Sequence, residues 1–177
     1  MTWLQTHSGL AFDYENPKPE QIDIGDIAHA CSKMCRFVGH SNRFYSVAEH
    51  SVHAAELLHF VSREHARWGL MHDAHETYVA DIPSPLKRLL PDYRQIEEIV
   101  AAAVRARFGL VGTLPPEVKR IDLVLLASEA ATLHQPPPRD WQLPEEPLRC
   151  WRPACWSPKE ARSRFLATFT ELFPEVA

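Results

Sequence analysis

Residues 70–87 read LMHDAHETYVADIPSPLK. Large apolar residues surround an adjacent His72-Asp73 pair, and Trp68, Met71, His72 and His75 recur at helical spacing. The pattern predicts a helix from about Glu64 to Val79, stopped by Pro83 and Pro85. Two neighbouring polar groups on a mostly buried helix cost several kcal/mol unless something satisfies them. What satisfies them is the question the rest of the chain has to answer.

Upstream, Ser46 is a helix cap with Glu49 three residues on, as in a capping box. The helix that follows should turn Val47, His50, Ala54, Leu57 and Leu58 inward. His50 precedes His72 by 22 residues, a spacing that suits two antiparallel neighbours. Downstream, Pro115-Pro116 opens another helix, and Asp122 sits in its apolar run VKRIDLVLL. Three helices thus each push a nitrogen or oxygen donor inward, and one divalent ion would satisfy His50, His72, Asp73 and Asp122 together. Two imidazoles and two carboxylates suit Mn, Co, Fe, Ni or Zn better than Mg or Ca, although Mg stays open.

The remaining segments complete an all-α chain with a β appendage. Residues 2–14 contain a Ser8-Gly9 turn between two short aromatic-rich runs, a small hairpin. Ile27, Ala30, Cys31, Met34 and Phe37 predict one helix ending near Gly39. Residues 92–108 carry Tyr93, Ile96, Ile99, Val100 and Val104 as a stripe, with Gly109 as the stop. Seven prolines between Pro136 and Pro158 exclude a helix there, and Trp141, Trp151 and Trp156 should pin that loop to the body. A last helix, about 158–173, packs Phe165, Leu166, Phe169 and Leu172.

Composition narrows the class. The 177 residues fit one domain at roughly 150 residues per domain. Its parts are an N-terminal hairpin and loop (1–25), a helical core (26–134), a proline-rich loop (135–157) and a C-terminal helix (158–177). Lys and Arg number 19 against 23 Asp and Glu, with no basic patch, which argues against a duplex-binding surface. Neither an apolar span near 18 residues nor a charged-then-apolar leader is present, so the expectation is a soluble cytoplasmic protein with no membrane partner. The four cysteines lack CxxC spacing and read as buried free thiols. Of ten histidines, eight lie between His29 and His75.

The order His50, His72-Asp73, Asp122 resembles the HD-domain metal-dependent phosphohydrolases. SVAEHS around His50, LMHDAHETYVADIPSPLK and VKRIDLVLLASEA are similar to stretches of the bacterial 5′-deoxynucleotidase branch, which read SEHS, HDASE…GDLPTPVK and a KxAD-like helix. The likeness covers about residues 26–134, and the hairpin and tail resemble short phage and bacterial HD phosphohydrolases. It implies an HD-domain helical bundle with His50, His72, Asp73 and Asp122 as ligands to one divalent transition metal.

The resemblance also implies that Glu76, on the face of Asp73, positions or deprotonates the attacking water. Asp81 matches an acid contacting the sugar at its 3′-hydroxyl. Arg36 lies near the place of an arginine that holds the phosphate. Phe37 stands where the branch has a tryptophan that excludes a ribose 2′-hydroxyl, so a preference for deoxyribose is not implied. His75 replaces a small residue; together with His53 and His40 it is a candidate for extra phosphate contacts or a second metal. His7, His59, His65 and His134 read as surface residues.

The activity implied is hydrolysis of (deoxy)nucleoside 5′-monophosphates to nucleoside and phosphate. The alternative is a triphosphohydrolase releasing triphosphate, for which Arg36, Arg43, Lys33, Lys87 and Arg88 are the candidate cations. A non-catalytic nucleotide-binding module and a di-metal oxygenase are two readings from other classes. Relatives imply a homo-oligomer, a dimer or larger.

Overall fold

The computed structural model describes residues 2–176. A two-stranded antiparallel hairpin, β1 (Trp3–Gln5) and β2 (Ala11–Asp13), is followed by eight α-helices. These are α1 (Ile24–Cys31), α2 (Val47–His59), α3 (Arg63–Met71), α4 (Glu76–Val79), α5 (Ser84–Lys87), α6 (Pro91–Arg107), α7 (Pro116–Leu133) and α8 (Pro158–Leu172). Phe12 of the hairpin, the inner faces of α1 to α3, and Phe165, Phe169 and Phe173 around α8 belong to one buried cluster. Among the described residues no helix is long and apolar enough to cross a membrane.

α2 lies at the centre, packed against α3, α7 and α8. Its contact with α3 is close because Gly69 has no side chain. A Cβ there would come within 2.6 Å of Leu58 Cδ1 and 3.1 Å of the Ala54 backbone. His50, Ala54 and Leu58 stand at successive i, i+4 positions, so the face that meets Gly69 is the face that carries His50.

Several expected elements end sooner than their periodicity suggests. The helix anticipated over 64–79 stops at Met71. Residues 74 to 78 are bonded i→i+3 (Ala74 N–H to Met71 O, Glu76 N–H to Asp73 O, Tyr78 N–H to His75 O) across the turn that leads into α4. That tightening keeps the apolar period while turning His72, Asp73, His75 and Glu76 towards a common region. The helix anticipated to Gly39 stops at Cys31. Beyond it, Arg36 N–H bonds Tyr45 O and Val47 N–H bonds Met34 O, so pairing with the start of α2 displaces the helix.

Two smaller expectations also change. In α6 the buried face is Val100, Ala101, Ala103 and Val104, whereas Ile96 and Ile99 are exposed. The capping box is half realised. Ser46 Oγ accepts from Glu49 N–H at 3.1 Å, but the Glu49 carboxylate leaves the helix and accepts from Cys155 and Trp156 N–H, both at 2.7 Å. The hairpin, the starts of α2, α7 and α8, and the irregular course of the proline-rich loop are as anticipated. All four cysteines are free, but only Cys31 is buried; Cys35 and Cys155 are half-buried and Cys150 is exposed, because they lie in irregular segments outside the helical core.

Candidate metal centre

Four side chains from three places in the chain converge. His50 comes from α2, His72 and Asp73 from the turn after α3, and Asp122 from the second turn of α7. His50 Nε2 lies 3.2 Å from His72 Nε2, 3.3 Å from Asp122 Oδ1 and 3.8 Å from Asp73 Oδ2. His72 Nε2 is 3.2 Å from Asp73 Oδ2 and 3.9 Å from Asp122 Oδ1. The four residues chosen from the sequence are therefore brought together.

The outer nitrogens decide what the inner ones present. His72 Nδ1 is 2.7 Å from Gly69 O, and a carbonyl only accepts, so Nδ1 carries the proton. His50 Nδ1 is 2.6 Å from Glu129 Oε1 and donates likewise. In neutral imidazoles both Nε2 atoms then turn lone pairs toward each other and toward two carboxylates. Such a set could hold a cation, and imidazoles whose far N–H is fixed by a carboxylate or a carbonyl are the usual form of metal-ligating histidine. The donor set fits a divalent transition ion. Electrostatics respond to the same crowding. Burial opposes charge on His50, but Glu129 and Asp122 outweigh it and raise its pKa to about 9. Burial also works against Asp73 and Asp122, yet the imidazoles hold both well below the usual carboxylate range.

Glu129 was not anticipated. It is fully buried and receives four hydrogen bonds: from Arg36 Nε–H at 3.1 Å and a terminal N–H at 3.0 Å, from the Tyr45 hydroxyl at 2.9 Å, and from His50. Its signal was present in VKRIDLVLLASEA, where a second acid follows Asp122 by seven residues, two turns along the same face. Arg36 lies beside the centre, 3.5 Å from Asp73 Oδ2, with the rest of its fork on Glu129. Phe37 packs edge-on against His134 at 4.6 Å and near Trp141, towards the proline-rich loop.

Glu76 is buried and its Oε1 is 3.4 Å from Lys87 Nζ. Burial, Asp73 and Asp81 push its carboxyl well above the usual range. Asp81 is also raised, by burial first and then by Asp73. His75 Nε2 is 3.4 Å from Glu97 Oε1. His53 is elsewhere, against Glu56, Trp151 and Trp156, and His40 lines a separate cleft with His134 and Trp141. Neither reaches His75.

His72, Asp73 and Asp122 open onto a cleft of about 880 Å³ between α6 and the α3–α7 side, and His75 lines the same cleft. Of the cations singled out in the sequence, Lys87 lines it; Arg43 instead donates to Ala154 O and Lys33 to His29. Arg94, Arg105 and Lys119 are its other basic side chains, with Lys119 Nζ 2.8 Å from Asp122 Oδ2.

The chain is 46% identical over 133 residues to the uncharacterized protein YfdR of Escherichia coli (strain K12), covering 75% of this chain and 73% of YfdR. It belongs to the YfdR family. An uncharacterized Rhodobacter capsulatus protein is 36% identical over 125 residues, 67% of this chain and 64% of its own. No family model matches the chain. This member of the family is a largely helical body in which His50, His72 and Asp122 form a half-buried cluster that could hold a metal ion.

Proposed function

We propose that the chain is a metal-dependent phosphohydrolase of the HD-domain type that converts (deoxy)nucleoside 5′-monophosphates to nucleoside and phosphate. The observation that carries this reading is the convergence of His50, His72, Asp73 and Asp122 with both outer imidazole nitrogens anchored, at the edge of a nucleotide-sized cleft. The ordered likeness of those residues and their flanks to HD phosphohydrolases adds the reaction class.

The four ligands would hold one Mn, Co, Zn, Ni or Fe ion, which when bound supplies Lewis-acid polarisation of the phosphate ester. Glu76 Oε2 is buried without a partner among the described residues, and its raised pKa makes the ionised carboxylate a stronger acceptor for a proton from the attacking water. Arg36 and Lys119 balance the carboxylates around the ligands, Arg36 beside Asp73 and Lys119 on Asp122. Asp81, at the end of the Val79–Ala80 turn, would meet the sugar.

Triphosphate hydrolysis is the second reading, favoured by Arg94 and Arg105 in the cleft. Product analysis with nucleoside mono-, di- and triphosphates in Mn, Co, Zn and Mg separates the two. We expect phosphate from monophosphates. Triphosphate from dNTPs, with no phosphate from monophosphates, would sink the first reading. Glu76→Ala should retain the ion and lose the rate; an unchanged kcat would remove Glu76 from its role.

A further inference from the structure

A second group of metal-type ligands borders the same cleft, with His75 and Glu97 on its wall. His75, Glu76 and Glu97 bring one imidazole nitrogen and two carboxylate oxygens within 4.8 Å of one another. Two carboxylates this close repel unless a cation stands between them or one takes a proton. A cation of the chain itself is there. Lys87 Nζ donates to Glu97 Oε1 at 2.5 Å and to Glu76 Oε1 at 3.4 Å, and the same Glu97 oxygen is 3.4 Å from His75 Nε2. The Tyr93 hydroxyl, 3.4 Å from that oxygen, also bonds Ala80 O at 3.0 Å and ties the cluster to the turn before Asp81.

Local sequence explains how the ammonium arrives. Pro83 caps α5, a single turn whose last residue is Lys87, and Pro85 lies within it. α6 follows at once and places Tyr93 and Glu97 one turn apart on the facing side. The seat is electrostatically strong. Burial works against charge on both partners, yet Glu76 and Glu97 hold Lys87 above its ordinary range, and His75 and Lys87 bring Glu97 down to about 2.

We propose that Lys87 is a built-in second cation: its ammonium fills the His75–Glu76–Glu97 subsite that a second divalent ion would otherwise take. The centre is thereby mononuclear by construction. A tethered single charge also leaves Glu76 Oε2 uncoordinated, where a divalent ion would claim the carboxylate. The inference rests on the metal-centre reading only for the first ion.

Titration with Mn²⁺ and with Co²⁺, read by calorimetry and by ion content after gel filtration, tests it without measuring turnover. The wild type should bind one ion per chain. Lys87→Ala should bind two, Lys87→Ala/Glu97→Gln one again, and Lys87→Arg one. Circular dichroism checks that each variant is folded, and Lys87→Gln substitutes for Lys87→Ala if the latter does not fold. A wild type with two ions, one of them lost in Glu97→Gln, overturns the proposal. So does a folded Lys87→Ala that gains none. If the wild type binds no ion, the metal-centre reading fails by itself. An ion then gained by Lys87→Ala and removed by Glu97→Gln would still support the role of Lys87.

Discussion

Glu129 shows how much one buried acid can organise. It neutralises Arg36, orients His50 and engages Tyr45, all without exposure to water. Breaking a buried ion pair by removing one partner costs about 3–5 kcal/mol, because the other charge stays buried and unpaired. Glu129→Ala should therefore lower stability by roughly that amount in chemical denaturation. Glu129→Gln keeps the size and should fold better, yet lower metal affinity about 10–100-fold, since an outer partner of a ligating histidine is lost. Equal metal affinity in Glu129→Gln and wild type would show that His50 does not depend on it. The same residue sets a pH response. In chelator-treated protein the folded-state pKa of His50 is raised from 6.5 to about 9. Protonated His50 then stabilises the fold fully below about pH 6.5, and the contribution is lost as pH climbs toward 9. Metal affinity runs the other way, because the ion needs the deprotonated ring. Melting temperatures of chelated protein and calorimetric metal titrations over pH 6–9 should show opposite slopes.

At the scale of elements, two segments flanking the centre have strained backbone, as do Gln142, Cys150 and Cys155 of the proline-rich loop. Phe37 and Val38 are both left-handed (φ 58° and 54°) directly after Arg36, and Ala80 has φ 72°, ψ 154° directly before Asp81. The Ala80 conformation lies at the border of a region populated almost only by glycine and costs about 1–3 kcal/mol for other residues. The deoxynucleotidase stretch GDLPTPVK, which this segment resembles in sequence, has glycine at that place. Ala80→Gly should raise stability by about 1 kcal/mol, the strain relief exceeding the added freedom of the unfolded chain. A lower melting temperature would count against strain at this turn. These elements also mark where the sequence was legible. Capped starts such as Ser46 and Pro115-Pro116 depend on neighbours in the chain and were read correctly. The ends at Cys31 and Met71 depend on pairing with Ser46 and on turning four polar side chains toward one site. Periodicity carries no record of either. The candidate ligands His50, His72, Asp73 and Asp122 stood out as polar groups in apolar runs, whereas Lys87 and Glu97 looked like ordinary surface charges.

Across the whole molecule, α2 serves two regions at once through adjacent residues. His50 faces the candidate metal cluster, and Glu49 faces the proline-rich loop, holding Cys155 and Trp156 N–H with its two carboxylate oxygens. His53 continues that face against Trp151 and Trp156, Arg164 of α8 covers Trp156 at 4.5 Å, and Ser128 Oγ accepts from Leu148 N–H. A segment without regular hydrogen bonding is thus tied to the body by a few buried polar anchors, of which Glu49 is the most enclosed. Hydrogen bonds to a charged group contribute about 1.5–3 kcal/mol each, so Glu49→Ala should destabilise the fold by roughly 3–6 kcal/mol at most. The loss should be local first. Limited proteolysis of Glu49→Ala should cut within residues 135–157 under conditions that spare the wild type, with helical circular dichroism retained. Metal affinity should stay within a few-fold of wild type if the two faces of α2 act independently. A Glu49→Ala protein that loses its ion and its loop protection together would show instead that the latch and the metal centre form one cooperative unit.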